Sequence, residues 1–77
     1  MSGALNSQPY RKLLRLLAEA RREAGLTQAD VAKYMRRPQS FVSKYESGER
    51  RLDVVEFVQV CRAVGLSATE TIASIDK

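Results

Sequence analysis

Gln39, Ser40, Ser43 and Lys44 fall on one side of a helix when residues 39–46 are wound at 3.6 residues per turn. Gln carries a donor and an acceptor side by side, Ser a hydroxyl that serves as either, and Lys three charged donors. None of the four is needed for a core, since Val42 and Tyr45, three apart, take the inward side. Phe41 adjoins the inward Val42 and reads two ways: as a partly buried residue or as an apolar contact for whatever meets that face. The chemistry on offer is hydrogen bonding rather than bond making. The chain has no His, one Cys, no Gly-rich phosphate loop and no metal-ligand cluster, and its Asp/Glu pairs read as helix caps. No enzyme, metal or cofactor is expected.

The charge is placed unevenly. The net charge is +4; residues 1–37 hold eight Lys/Arg (11, 12, 15, 21, 22, 33, 36, 37) against three acids (19, 23, 30), and residues 38–77 hold five against six. A basic half suits an acidic partner, either nucleic acid or an anionic membrane surface. Membrane docking through Arg11, Lys12 and Arg15 fails because the neighbouring leucines are needed for the core. No apolar run approaches the roughly 20 residues that span a bilayer, and Ser2–Gln8 is unlike a secretory leader, so a cytoplasmic protein is expected. Cys61 has no partner for an internal disulfide and reads as a small core residue.

The elements that must position the polar face are short helices. Residues 1–8 read as a flexible lead-in and residues 9–77 as one domain. Pro9 suits a first helical turn capped by Ser7 or Gln8, and the helix runs to about Glu23, stopped by Gly25. Its apolar stripe is Leu13, Leu16, Leu17, Ala20 and Ala24, with Leu14 off the stripe. Thr27 caps a second helix over Gln28–Met35, favoured by Asp30 in its first turn and burying Val31, Ala32 and Met35. After the turn Arg36-Arg37-Pro38 a third helix runs to about Glu46, and Gly48 ends it. Two short helices joined by this tight turn make 27–48 read as a helix-turn-helix. Asp53-x-x-Glu56 opens helix 4, with Val54, Val55, Phe57, Val58 and Cys61 as its apolar face and Gly65 as its stop. Ser67-x-x-Glu70 opens helix 5, which carries Ile72 and Ile75. The fold class is all-α, with five helices.

From Leu13 to about Ile75 the sequence resembles the lambda-repressor-like helix-turn-helix regulators, the Cro and phage-repressor type also called the XRE family. The matching residues are Arg21, Gly25-Leu26-Thr27-Gln28, Val31-Ala32, Met35, Val42-Ser43, Tyr45-Glu46, Ser47-Gly48 and Cys61–Leu66. The resemblance implies a regulator of transcription, a repressor by preference, that lays helix 3 into the major groove of double-stranded DNA. Gln39, Ser40 and Lys44 match positions that read base edges, with Ser43 and Phe41 beside them. Gln28 matches a position that bonds a phosphate and supports the residue at 39, while Arg37, Ser47, Arg50 and Arg51 stand where groove-wall phosphates would pass. Arg21 and Glu46 match a partly buried ion pair.

A homodimer is implied, placing two reading helices about 34 Å apart, one DNA turn. Its surface would be the helix 4–5 region, with Leu14 and Ile75 as further candidates. No small-molecule ligand is implied. The competing function is a protein-interaction or antitoxin-like module that keeps the same fold. Two residues depart from the family pattern, which usually has Gly at position 36 and an apolar residue at 37. The turn is therefore expected to be shaped differently, and Arg37 to leave the core one apolar plug short.

Overall fold

Four of the five helices begin on a side chain that answers an open backbone N–H, which fixes where each one starts. The structure, a computed structural model, describes residues 7–76; residues 1–6 of the expected lead-in lie outside that range. Ser7 Oγ accepts from the Tyr10 amide at 3.4 Å and opens α1 (Gln8–Glu23), so Gln8 belongs to the helix rather than to the lead-in. Thr27 and Asp30 form a reciprocal capping box at the start of α2 (Gln28–Met35), with bonds of 3.0 and 2.8 Å. Asp53 and Glu56 do the same for α4 (Val54–Val64), at 2.7 and 3.0 Å. Ser67 Oγ accepts from the Glu70 amide at the start of α5 (Ala68–Ile75). The exception is α3 (Gln39–Ser47), whose N-cap is Pro38 with no side-chain cap.

The turn between α2 and α3 keeps a left-handed residue despite the missing glycine. Arg36 adopts φ 58° and ψ 44°, and the following amide of Arg37 closes on Ala32 O at 2.9 Å. The expected reshaping does not occur. Left-handed backbone costs a side-chain-bearing residue roughly 1–2 kcal/mol, which the packing of α2 on α3 offsets.

Leu17, Val31, Val42, Tyr45, Val60 and Cys61 are fully buried and draw on α1, α2, α3 and α4 alike. α1 packs against α3, α4 and α5, and α2 against α3 and α4. Because three partners surround α1, its buried face is wider than a single stripe. Leu14 is in the core at 7% exposure, so it is not available to a partner, while Ala24 is exposed and Leu16 only half-buried.

The inward stripe of α4 also differs from expectation. It consists of Glu56, Phe57, Val60, Cys61 and Val64. Val55 falls on the outer side with Gln59 and Arg62, and Val54 sits at the helix tip; both are exposed. On α5, Thr71 is buried and Ile75 packs against the core, whereas Ile72 is exposed. Two long-range bonds tie the ends to the body: Lys12 Nζ donates to Ser74 O at 2.8 Å, and the Leu52 amide donates to Tyr10 Oη at 3.1 Å. No helix among the described residues is long and apolar enough to cross a membrane.

Candidate nucleic-acid interface

The outer face of α3 carries Gln39, Ser40 and Lys44, all exposed, and Ser43, half-buried. Ser43 Oγ donates to Ser40 O at 3.3 Å, and Ser47 Oγ donates to Lys44 O at 3.0 Å while accepting from the Glu49 amide at 3.4 Å. Beneath the helix lie Val42 and Tyr45 at 0% and 1% exposure. Phe41 joins them at 5% exposure, with its ring edge-on to Tyr45 at 5.5 Å. Of its two readings the buried one is the position observed, so Phe41 is not on the face that carries Gln39 and Lys44. Burial also pushes the Tyr45 phenol above its ordinary pKa.

Two polar networks fix how α3 sits. In the first, Arg21 of α1 grips Glu46 of α3 through Nε–Oε2 at 2.7 Å and Nη2–Oε1 at 3.3 Å. Its third nitrogen, Nη1, donates to Leu26 O at 2.9 Å. The two side chains are 13% and 11% exposed. At that burial a pair is costly to break, because the surviving charge is left without a partner. Gln28 Nε2 donates to Glu46 Oε1 at 2.9 Å, and Gln39 Nε2 reaches Gln28 Oε1 at 3.5 Å, the outer limit of such a bond. The chain Arg21–Glu46–Gln28–Gln39 thus runs from the core to the exposed face.

The second network centres on Glu56, a residue that the sequence marked only as a cap. Its carboxylate, 7% exposed, accepts from Arg50 Nη1 and Nη2 at 2.9 and 3.0 Å, from Arg37 Nη2 at 2.9 Å, and from the Asp53 amide at 3.0 Å. The doubly bonded Arg50, with the Asp53 amide and Arg37 after it, outweighs desolvation and holds the Glu56 carboxyl at a pKa of about 2. The same two guanidiniums lie over the Phe41 ring, at 4.5 Å for Arg37 and 4.7 Å for Arg50.

Arg37, at the position where an apolar plug is expected, instead stays exposed and lays its guanidinium over the Phe41 ring. Arg37 and Arg50, expected as phosphate contacts, are already engaged by Glu56, with 39% of each side chain left exposed. Arg51 lies over the Tyr10 ring at 5.3 Å. The pairing of positions 37 and 50 with 56 leaves no local trace in the sequence; three charges meeting around one aromatic ring is a purely tertiary fact.

Residues 12–73 match the family described as a helix-turn-helix domain. The chain is also similar to a solved structure, an XRE-family like protein from Pseudomonas syringae pv. tomato str. DC3000. The two are 44% identical, the TM-score is 0.88, and the match covers 97% of this chain and 92% of that one. No curated protein matches the sequence. An all-α body that presents one short polar helix on a two-helix turn thus coincides with a match over most of the chain, and the protein belongs to the XRE family of helix-turn-helix DNA-binding regulators.

Proposed function

We propose that the protein acts as a sequence-specific repressor, entering the major groove with the outer face of α3 as one half of a homodimer. The observation that carries this reading is the division of α3 into two sides. Phe41, Val42 and Tyr45 are buried, while Gln39, Ser40, Ser43 and Lys44 face out on a helix clamped by Arg21–Glu46. In the groove, Gln39 suits adenine N6 and N7, Lys44 suits guanine O6 or N7, and the serines accept or donate as the sequence requires. Phosphates meet Gln28 at the amino end of α2, Ser47 at the end of α3, and Arg51. Arg37 and Arg50 add only the N–H groups that Glu56 leaves them.

The described residues present one reading helix, α3, and successive major-groove faces lie roughly 34 Å apart, so reading two of them takes two copies. The second copy docks along α4 and α5, where Val54 and Ile72 stand exposed at an apolar groove lined by Leu52, Val58 and Ala68. Occupying a promoter in this way represses by exclusion.

Selection of bound sequences from a random duplex pool tests the reading directly. The expected product is a two-fold site whose half-sites lie one helical turn apart. Gln39→Ala and Lys44→Ala should each relax preference at a defined base pair, at roughly 1–3 kcal/mol per lost paired contact. Val54→Glu with Ile72→Glu should leave a folded monomer by sedimentation. Enrichment of no sequence, or unchanged preference in both α3 variants, would overturn the assignment of readers.

A further inference from the structure

A cleft between α1 and the end of α3 brings basic residues of α1, which the groove reading does not use, beside the last turn of the reading helix. Arg11, Arg15 and Arg22 line it from α1, and Glu46, Ser47 and Gly48 line it from α3. The three arginines recur at intervals of four and seven along α1, so they form one stripe down a single side of that helix. All three are exposed, and Arg15 makes only a loose 3.7 Å pair with Glu19. The carboxylate bordering the cleft, Glu46, is already neutralised by Arg21. Lys12, between the first two arginines in sequence, turns the other way and caps the last turn of α5 through Ser74 O.

We infer that this α1 stripe is a second backbone-binding surface, which takes DNA phosphates flanking the groove that α3 occupies. Ser47 gives the continuity: it closes the exposed face of α3 and borders the stripe, so a sugar–phosphate strand leaving the groove past Ser47 runs onto Arg22, Arg15 and Arg11. Such contacts carry charge and no sequence information, so they lengthen the footprint and raise affinity for all duplexes alike. The inference rests on the groove-binding reading and extends it to a helix outside the helix-turn-helix.

The test measures binding of the full chain to a 30-base-pair random-sequence duplex by fluorescence anisotropy over a range of KCl concentrations. Each phosphate neutralised adds about 0.9 to the slope of log affinity against log salt. Arg11→Gln with Arg15→Gln and Arg22→Gln should therefore flatten the slope by about 2 to 3, and Arg22→Gln alone by about 1. Arg62→Gln, which removes an equal charge from the outer side of α4, should leave the slope nearly unchanged. Circular dichroism melts check that each variant is folded; the single variant serves if the triple one is not.

If the unaltered protein shows no salt-dependent binding, the groove-binding reading falls. If it binds steeply and the arginine variants keep its slope, only the α1 surface is refuted. A loss on Arg62→Gln equal to that on Arg22→Gln would overturn the surface as well, since net charge alone would then explain the effect.

Discussion

Replacing Glu56 with Gln keeps the shape of the side chain and removes the charge on which two arginines converge. The wild-type carboxyl sits at about 2, against 4.5 for an ordinary Glu. Such a difference corresponds to roughly 3 kcal/mol of preference for the ionised form in the folded state. That figure is an upper bound here, because 39% of each arginine side chain remains in water and is screened. The amide also turns an N–H toward one guanidinium, which returns part of the loss as repulsion. A net destabilisation of about 2 kcal/mol at pH 7 follows, or roughly 10 °C in Tm for a domain of this size.

The pH dependence has a definite sign. A carboxylate with a lowered pKa contributes its full stability above 4.5 and loses it as pH falls through about 2. Urea unfolding followed at 222 nm, run at pH 7, 5, 3 and 2, should show the gap between wild type and Glu56→Gln constant down to about pH 5. The gap should then shrink, to under about 1 kcal/mol near pH 2. Other titrating groups are common to both proteins and largely cancel in the difference. A gap below about 0.5 kcal/mol at pH 7, or one that does not change with pH, would refute the reasoning.

Three further outcomes are expected. Arg36→Gly should relieve the left-handed strain at the α2–α3 turn and raise stability by about 0.5–1 kcal/mol, after the added freedom of the unfolded chain is set against the gain; a thermal melt that moves down rather than up would contradict it. Arg21→Met strands the buried Glu46 and should cost about 2–3 kcal/mol, less than the usual maximum because Gln28 still donates to it. Adding Glu46→Leu should recover most of that loss in urea titrations, whereas a double variant as unstable as the single one would show that the charge is not the cause. Cys61 is fully buried, and desolvation pushes its thiol pKa up. It should therefore react with a thiol-specific disulfide reagent at pH 8 only on the timescale of unfolding, and prompt labelling of the native protein would place it elsewhere.

Local signals located the helices well because caps are local. Thr27 with Asp30 and Asp53 with Glu56 each act over three residues, so their spacing states the geometry directly. Long-range demands were harder to see. Leu14 is off any single apolar stripe, and its burial follows only from α1 having neighbours on several sides. Val54 and Val55 read as part of the apolar face of α4, yet the packed helix turns Glu56 inward and leaves both valines in solvent.

The candidate interface divides in the same way. The polar run on α3 could be read from its period, and Arg21 with Glu46 from a family likeness. The engagement of Arg37 and Arg50 by Glu56 over Phe41 could not, since arginine at a surface turn looks the same whether it waits for phosphate or is already paired.

The bond between Gln39 and Gln28 has a bearing on how such a protein changes its target. Ser40, Ser43 and Lys44 make no side-chain bond to another helix among those described, so new residues there can be tried one at a time. Position 39 is different. Its amide reaches Gln28 Oε1 at 3.5 Å, and Gln28 in turn donates to Glu46, so an exchange at 39 removes a contact of a neighbour on another helix. Retargeting by substitution should thus show epistasis confined to one pair. Libraries that vary 39 and 28 together will hold specificities that no sequence of single exchanges reaches through well-folded intermediates.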